Sequence, residues 1–291
     1  MKAQILCIHL LNDFSGSPLI LSQVVDGFLK QDYNVTIFTN KSEGFLSDIQ
    51  NVSYKKNSYI YSTKRWITLF RFFLSQILLF ISFLRYWNKD TIIYINTTLP
   101  FGAALAGKLM NKKVIYHVHE TSIKPVIFKK FLFKILEWTA DEAIYVSNFL
   151  QKQEPLKTNS HIIYNALSNK FLAEIKNTEA AKETFNILML CSLKKYKGVD
   201  EFVNLANILS TINFDLVLNA DKNEIAEYFK NQKIPSNLNI HPKQKNVHSF
   251  YQKANLVTNL SRPDLWVETF GMTALEAMAY GIPVIVPPVG A

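Results

Sequence analysis

The stretch VETFGMTALEAMAYGIPVIV, residues 267–286, contains the signals for a turn, a helix and a buried strand in that order. Glycine stands at position 271, in the turn, and at position 281, where a helix that carries Glu276 is expected to end. The apolar run that follows predicts a strand covered on both faces, as in a parallel sheet. This stretch therefore indicates an α/β domain.

The same alternation of short β-branched runs and longer helical stretches extends along the whole chain, which is typical of parallel sheets wound with helices. We therefore predict an α/β fold with two tandem Rossmann-like doubly wound domains, whose ligands bind at the carboxyl ends of the strands. Strands are predicted at residues 4–10, 35–39, 91–96, 114–118, 142–146, 161–164, 185–191, 214–219, 238–241, 255–258 and 283–286. Helices are predicted at residues 18–30, 64–86, 101–110, 126–139, 199–210, 224–230, 247–253 and 272–280.

A polar stretch at residues 168–183 separates the two series of elements. It is the predicted linker between a first domain at residues 1–170 and a second at residues 183–291. The sequence ends just after its last apolar strand, with no helix to cover that strand. Because a buried parallel strand needs both faces covered, the second domain is expected to be incomplete at its C-terminus.

Composition excludes several classes of protein. Hydrophobic residues make up 48% of the chain and charged residues 19%, so the chain can bury a core and is not disordered. Two cysteines, Cys7 and Cys191, lie far apart in apolar runs, which excludes a disulfide scaffold and favours a cytoplasmic protein. The first residues predict a strand and lack the layout of a signal peptide.

The net charge of +9 is unevenly distributed. Residues 52–134 contain 14 basic and 2 acidic side chains, a local excess of +12. Such an excess indicates an anionic partner, and here the basic residues alternate with long apolar and aromatic runs. That mixture favours a membrane surface over nucleic acid, for which no recognised binding module is visible.

The helix predicted at residues 64–86 carries much of this pattern, and a second basic and aromatic stretch at 124–138 repeats it. Three interpretations of the first helix stay open: it lies in the membrane interface, packs on the sheet of the first domain, or spans the bilayer. Between Arg71 and Arg85 lie about 20 Å of helix, against roughly 30 Å of bilayer core, which favours the interface over a span. The helix is apolar and aromatic except along one narrow polar stripe, formed by Lys64, Thr68, Arg71, Ser75, Ser82 and Arg85.

Within residues 267–286 the residue types also indicate a ligand. Two carboxylates, Glu268 and Glu276, flank a helix N-terminus whose backbone amides form an anion site. Carboxylates accept hydrogen bonds from hydroxyls, so phosphate at the helix and hydroxyls on either side describe a nucleotide sugar. A surface helix with two solvated glutamates is the alternative. The amides of the anion site belong to Phe270, Gly271, Met272 and Thr273.

Three motifs together resemble one family. The Glu-x7-Glu pattern in ETFGMTALEAMAYGIPVI, the preceding SRPDLW and the earlier SLKKYKGVDEF are similar to the second domain of retaining GT-B glycosyltransferases of family 4. The resemblance implies that Glu276 holds the nucleotide ribose, that Glu268 faces the donor sugar and reaction centre, and that Lys197 contacts the diphosphate. Family members usually carry an arginine where this sequence has Ser192, so Lys194 or Lys195 is expected to take that role.

The first domain supplies two weaker candidates. Gly16, between the first strand and the first helix, permits close approach of the backbone and resembles the glycine-containing loop of the family. His119 resembles the histidine that faces the donor sugar, whereas His117 also fits a structural histidine at a strand end. Because alternate residues of a strand share a face, the two histidines invite a metal site, but a third ligand is not evident. The chain has no Asp-x-Asp motif, which fits metal-independent catalysis.

The resemblance implies transfer of a sugar from a nucleotide sugar, such as a UDP- or GDP-sugar, with retained anomeric configuration and without a further cofactor. Together with the basic and aromatic helices it suggests a glycan or lipid-linked glycan acceptor, at the inner face of the plasma membrane, in assembly of a bacterial surface polysaccharide. Two alternatives are a catalytically inactive, membrane-associated nucleotide-binding or scaffold protein, and a nucleotide-sugar epimerase, against which the Glu-x7-Glu and KYKG motifs argue.

Overall fold

A computed structural model describes residues 2–57, 59, 65–175 and 184–290. Lys64, the first residue of the predicted polar stripe, and residues 176–183 of the predicted linker lie outside the described residues. The chain divides into two compact units, Met1–Tyr164 and Asn165–Ala291. Each unit contains one sheet in which every pairing between neighbouring strands is parallel.

The first unit is built on a seven-stranded sheet with the strand order β3-β2-β1-β4-β5-β6-β7. Helices connect most of the strands, as parallel pairing requires. The strands are β1 (Gln4–Ile8), β2 (Asn34–Thr39), β3 (Val52–Lys56), β4 (Thr91–Asn96), β5 (Lys113–Val118), β6 (Glu142–Tyr145) and β7 (Ser160–Ile162). The helices are α1 (Gly16–Lys30), α2 (Arg65–Leu84), α3 (Phe101–Leu109), α4 (Val126–Thr139) and α5 (Asn148–Gln153).

The second unit contains a five-stranded sheet with the order β10-β9-β8-β11-β12. Its strands are β8 (Asn186–Cys191), β9 (Asn213–Leu218), β10 (Leu238–His241), β11 (Leu256–Thr258) and β12 (Val284–Ile285). Its helices are α6 (Asn169–Glu174), α7 (Val199–Ile208), α8 (Lys222–Phe229), α9 (His248–Lys253) and α10 (Met272–Ala279), with a 3₁₀ turn at Lys195–Lys197. Both sheets are wound as the sequence predicts, and the predicted fold class is confirmed.

One strand and two α-helices were not predicted from the sequence. Strand β3 lies at the edge of the first sheet and is mostly exposed, so its sequence VSYKK shows no apolar face. Helix α5 is only six residues long. Helix α6 occupies part of the predicted linker. The Ser168 side chain caps its N-terminus, and the centre of the Phe171 ring lies 4.4 Å from the centre of the His248 ring.

Helix α2 lies against α3 because a glycine permits it. The Gly102 amide donates to Gln76 Oε1 at 3.1 Å, and a Cβ atom at position 102 would stand 2.1 Å from the Gln76 carbonyl oxygen. The inner face of α2 is apolar and buried, with Phe72 and Phe83 in the core. Ser75, which the sequence places on the polar stripe, also faces inward and donates to the Phe72 carbonyl at 2.6 Å.

Most of the remaining surface of α2 is apolar and exposed. Phe70 keeps 70% of its surface, and Ile77 and Ile81 keep 57% each. The apolar and aromatic surface that the sequence predicts for this helix is therefore divided: one side packs in the core, and the other side is uncovered. Over Trp66–Leu84 the helix is long and apolar enough to cross a membrane, by length and composition alone.

Replacing Gly102 by alanine tests how closely α2 and α3 pack. The added methyl group would overlap a backbone carbonyl, which cannot move without displacing α2, so we expect a loss of about 1–3 kcal/mol in the free energy of unfolding. The control is Gly27→Ala in α1, where nothing lies within 4 Å of the added Cβ and a gain of roughly 0.5–1 kcal/mol is expected. Urea unfolding of both variants measures the difference in their free energies of unfolding. A Gly102→Ala protein as stable as the Gly27→Ala protein would contradict the described contact.

Candidate functional site

In the second unit the segment after β8 and the segment before α10 meet through one ion pair. Lys197 Nζ lies 2.7 Å from Glu268 Oε2, although the two residues are 71 positions apart. Both side chains are largely buried, and the ammonium also lies 5.8 Å from the centre of the Trp266 ring. The structure therefore brings together two of the residues predicted to contact the donor.

Gly198 sets the path of the backbone next to this ion pair. Its φ of +79° is in the left-handed region, and it ends the 3₁₀ turn and begins α7. A Cβ atom there would stand 2.3 Å from the Leu260 carbonyl oxygen, so the loop after β8 lies directly against the loop after β11. Lys194 and Lys195, the candidates to replace the arginine of the family, are both exposed on the first of these loops.

The N-terminus of α10 follows a second left-handed glycine. Gly271 has a φ of +80°, and its carbonyl accepts the first helical hydrogen bonds, from the amides of Ala274 at 3.0 Å and Leu275 at 3.2 Å. The amides of Met272 and Thr273 precede those bonds and lie in the first turn, together with the positive end of the helix dipole. Phe270 precedes Gly271 in the turn. The residues predicted for the anion site thus lie in one turn, and anion binding there stays a prediction.

Glu276 lies one turn further along α10 and is buried. Tyr251 of α9 donates its hydroxyl to Glu276 Oε2 at 2.6 Å. Burial raises the pKa of the Glu276 carboxyl group to about 7, and the hydrogen bond from Tyr251 works in the opposite direction. Tyr251 is itself fixed by stacking on Tyr280, with ring centres 5.4 Å apart. The carboxylate is thus held in one orientation in surroundings that disfavour its charge.

In the first unit, polar side chains gather where β1, β4 and β5 end. The rings of His117 and His119 lie on one face with centres 4.3 Å apart, as strand alternation predicts. His117 Nδ1 lies 2.8 Å from the Tyr94 hydroxyl, and burial lowers the pKa of His117 to about 4. Burial, and then the nearby charges of His117 and His9, hold the pKa of His119 well below its usual value.

Metal binding finds no support in this cluster. Although three histidines come close together, no group of three or more His, Cys, Asp or Glu side chains among the described residues is arranged to hold a metal ion. Gly16 begins α1, beside the cluster, and the carbonyl of the next residue, Ser17, accepts a hydrogen bond from Asn96 Nδ2 at 3.0 Å.

Four residues of these clusters escaped the sequence analysis. His9 and Asn96 stand at the ends of strands β1 and β4, where the rule for parallel sheets could have pointed to them. The Thr98 amide donates to Glu120 Oε2 at 3.4 Å, and burial raises the pKa of the Glu120 carboxyl group to about 7. Tyr251 lies on the inward side of a short helix, and nothing in the sequence distinguishes it from a core aromatic.

Comparison with known proteins identifies two matching family models. The family model described as Glycosyltransferase Family 4 matches residues 15–167, more than half of the chain, and the model described as Glycosyl transferases group 1 matches residues 171–291. An uncharacterized 41.2 kDa protein in the cps region of Klebsiella pneumoniae is 28% identical over 72% of this chain and 63% of its own length. N-acetyl-alpha-D-glucosaminyl L-malate synthase of Bacillus anthracis is 27% identical over 70% of this chain and 58% of its own length. The chain thus spans about three fifths of the length of these curated relatives.

Among solved structures, Anabaena HepE in complex with UDP-glucose superposes with a TM-score of 0.74 at 16% identity. The superposition covers 99% of this chain and 81% of HepE, and it shows a shared fold. The expected resemblance and the two-domain Rossmann-like architecture are both confirmed. The chain belongs to the group 1, family 4 type of glycosyltransferases with the GT-B fold.

Proposed function

We propose that this protein transfers a sugar from a nucleotide-sugar donor to a glycan or lipid-linked glycan acceptor, with retention of anomeric configuration. The observation that carries the proposal is the pairing of Lys197 with Glu268 beside a helix N-terminus, in the same unit as the buried carboxylate of Glu276. Family membership supports the reaction type, and the complex of HepE with UDP-glucose supports a nucleotide sugar as donor; a UDP- or GDP-sugar is proposed.

Each charged group has a separate role in this proposal. The ribose hydroxyls donate to the Glu276 carboxylate, which Tyr251 already orients, and the donor sugar hydroxyls face Glu268. The diphosphate binds Lys197, with Lys194 on the same loop, and the first-turn amides of α10. In the absence of donor, the ion pair with Glu268 fixes the position of the Lys197 side chain, and the Glu268 carboxylate compensates the positive charge of Lys197.

Negative charge grows on the diphosphate as the bond to the sugar breaks. Lys197 and the amides near Gly271 stabilise that charge more strongly in the transition state than in the ground state, so they accelerate the reaction without a metal ion. The low pKa of His119 keeps its imidazole neutral, so the ring adds no positive charge for a phosphate and can hydrogen-bond to sugar hydroxyls. The proposal needs no protein nucleophile: as the bond from the sugar to the diphosphate breaks, the acceptor hydroxyl attacks on the face that the leaving group vacates, and the hydroxyl proton passes to the departing diphosphate oxygen.

The acceptor is proposed from the exposed surface of the first unit. Apolar side chains of α2 and α4 remain uncovered, including Phe70 at 70% and Ile127 at 79% exposure. Exposed Lys124, Lys130 and Lys134 border the same stretch of α4, so the surface offers apolar groups for the acyl boundary and cations for anionic headgroups. These groups support the proposal that the protein acts at the inner face of the plasma membrane. The relative in a cps region supports a role in surface polysaccharide assembly.

Turnover of nucleotide sugars tests the enzymatic proposal directly. We expect the purified chain, given UDP-, GDP-, ADP- and CMP-sugars with glycan acceptors, to consume one donor class, and proton NMR of the product to show retained configuration. Lys197→Ala removes the main cation from the leaving group and should lower kcat by roughly 10²–10³-fold. Lys230→Ala, an exposed lysine of the same unit paired with Glu227, is the control and should leave kcat unchanged. Binding of a nucleotide without turnover of any sugar would favour the scaffold alternative.

Vesicle flotation tests the membrane surface. We expect the protein to float with vesicles that contain anionic lipid, less so with zwitterionic vesicles and at high salt, because the basic residues supply part of the attraction. The double variant Phe70→Ser and Ile127→Ser should bind several-fold more weakly. Ile208→Ser, which removes an apolar side chain that is 75% exposed on α7, is the control and should float like the wild type. Equal flotation of all three proteins would exclude this face as the membrane contact.

A further inference from the structure

Trp266 stands beside the ion pair of the second unit and contacts the 3₁₀ turn that carries Lys197. The Trp266 ring stacks on the ring of Tyr196, with centres 5.2 Å apart and planes inclined by 17°. The ammonium of Lys197, the next residue after Tyr196, lies 5.8 Å from the centre of the Trp266 ring. Both aromatic residues lie in the motifs SRPDLW and SLKKYKGVDEF, but the family resemblance gives neither of them a role.

Contacts separate from the ion pair fix the Trp266 ring. The Trp266 amide donates to the Arg262 carbonyl at 2.9 Å, and the Arg262 amide donates to the Tyr196 carbonyl at 2.8 Å. These two backbone hydrogen bonds tie the loop after β11 to the 3₁₀ turn, and the stacked rings join the same two segments. The ring is therefore anchored by its own backbone and by Tyr196, beside the ammonium that it faces.

The ring and the carboxylate attract the same ammonium in different ways. The Glu268 carboxylate, 2.7 Å away, compensates the positive charge of Lys197 as it binds the ammonium. An aromatic ring attracts a cation through its quadrupole, at distances up to about 6 Å from its centre, and carries no net charge. Contact with Trp266 therefore leaves the full charge of Lys197 available to an anion, whereas pairing with Glu268 does not.

This difference matters because a diphosphate and Glu268 compete for Lys197. The negative charges of an arriving diphosphate repel the Glu268 carboxylate as they attract the ammonium. A lysine side chain is flexible, so an ammonium held by the carboxylate alone would lose its fixed position at that moment. The Lys197 side chain is largely buried, with 16% of its surface exposed, and a neutral ring beside it stabilises the ammonium with either anion as partner.

We propose that Trp266 is a positioning residue that holds the Lys197 ammonium in place while the partner of the ammonium changes from Glu268 to the diphosphate of the donor. Tyr196 supports this role because its ring stacks on Trp266. The proposal rests on the nucleotide-sugar transfer argued above, and all of its residues belong to the second unit.

The contact between ring and ammonium can be measured without any ligand. The chain contains four tryptophans, of which Trp266 is the one in the second unit. In the full chain labelled with 5-fluorotryptophan, ¹⁹F NMR reports the surroundings of each ring, and Trp266→Phe assigns the Trp266 signal. Lys197→Met removes the cation and should shift that signal. Glu268→Gln removes the carboxylate charge and leaves the ammonium beside the ring, so the Trp266 signal should stay close to its wild-type position.

Two results of the ¹⁹F experiment would overturn the proposal. An unshifted Trp266 signal in Lys197→Met would mean that the ring does not sense the ammonium. A Glu268→Gln signal at the position found for Lys197→Met would mean that the ammonium leaves the ring once the carboxylate charge is gone.

Calorimetric titration with UDP- and GDP-sugars measures the consequence for the donor. Trp266→Leu keeps an apolar side chain but removes the ring, so the dissociation constant of the donor should rise roughly three- to tenfold. Trp266→Phe keeps an aromatic face and should bind the donor more tightly than Trp266→Leu. The control is Trp87→Leu, which removes a tryptophan that is 49% exposed in the first unit and should match the wild type.

A double-mutant cycle shows whether Trp266 acts through Lys197. If the ring positions the ammonium, Trp266→Leu should weaken donor binding in the wild-type background and change it by less than about twofold in the Lys197→Met background. Equal losses in both backgrounds would mean that the ring contacts the donor directly or only supports the fold. Either reading would overturn the positioning role.

The outcomes separate this proposal from the proposed function. A donor that binds the wild type and Trp266→Leu equally well would leave the transferase proposal standing and overturn the role of Trp266. If the ¹⁹F signals behave as expected and no nucleotide sugar binds the wild type, the contact between ring and ammonium stands, but the proposed function and the role of Trp266 toward the diphosphate are both overturned.

Discussion

The constraint that organises this protein is that all neighbouring strands run in the same direction. Every described pairing in both sheets is parallel, so within each sheet all strands end at one edge and helices return the chain to the other. The loops at that edge carry the polar side chains that the buried strands exclude. Lys197 and Glu268 meet in this way in the second unit, and His9, Asn96 and His119 meet in the first.

The two units satisfy their buried polar groups differently. In the second unit the charges of Lys197 and Glu268 compensate each other. A hydrogen bond from Tyr251 offsets part of the free-energy cost of burying the Glu276 carboxyl group. In the first unit burial favours neutral histidines, which an amide orients through hydrogen bonds. The ligand groups proposed for each site follow from these properties: the charged site suits the diphosphate and ribose, and the neutral site suits sugar hydroxyls.

The sequence predicted the strands that show β-branched runs and the helices that show long periodic patterns. It also predicted the turn at Gly271, because a left-handed glycine before a helix leaves a local signature. It could not predict edge strand β3, which buries no face, nor the contacts of Asn96 and Tyr251, which depend on residues far away in the chain. The Lys197–Glu268 pair was predicted as two separate donor contacts, and the packing of Gly198 against Leu260 helps to bring their two loops together.

The most direct test of the account is calorimetric titration with UDP-, GDP-, ADP- and CMP-sugars at pH 8 and pH 6, for the wild type, Glu276→Gln and the exposed control Glu227→Gln. Intact nucleotide sugars are used because free nucleotides have a phosphate that titrates near pH 6. The account predicts that one donor class binds and that affinity falls up to about tenfold between pH 8 and pH 6, since ribose hydroxyls need a carboxylate whose pKa is about 7. Glu276→Gln should bind weakly at both pH values, and the control should match the wild type. Wild-type affinity and pH dependence in a folded Glu276→Gln protein would contradict the assignment of the donor site.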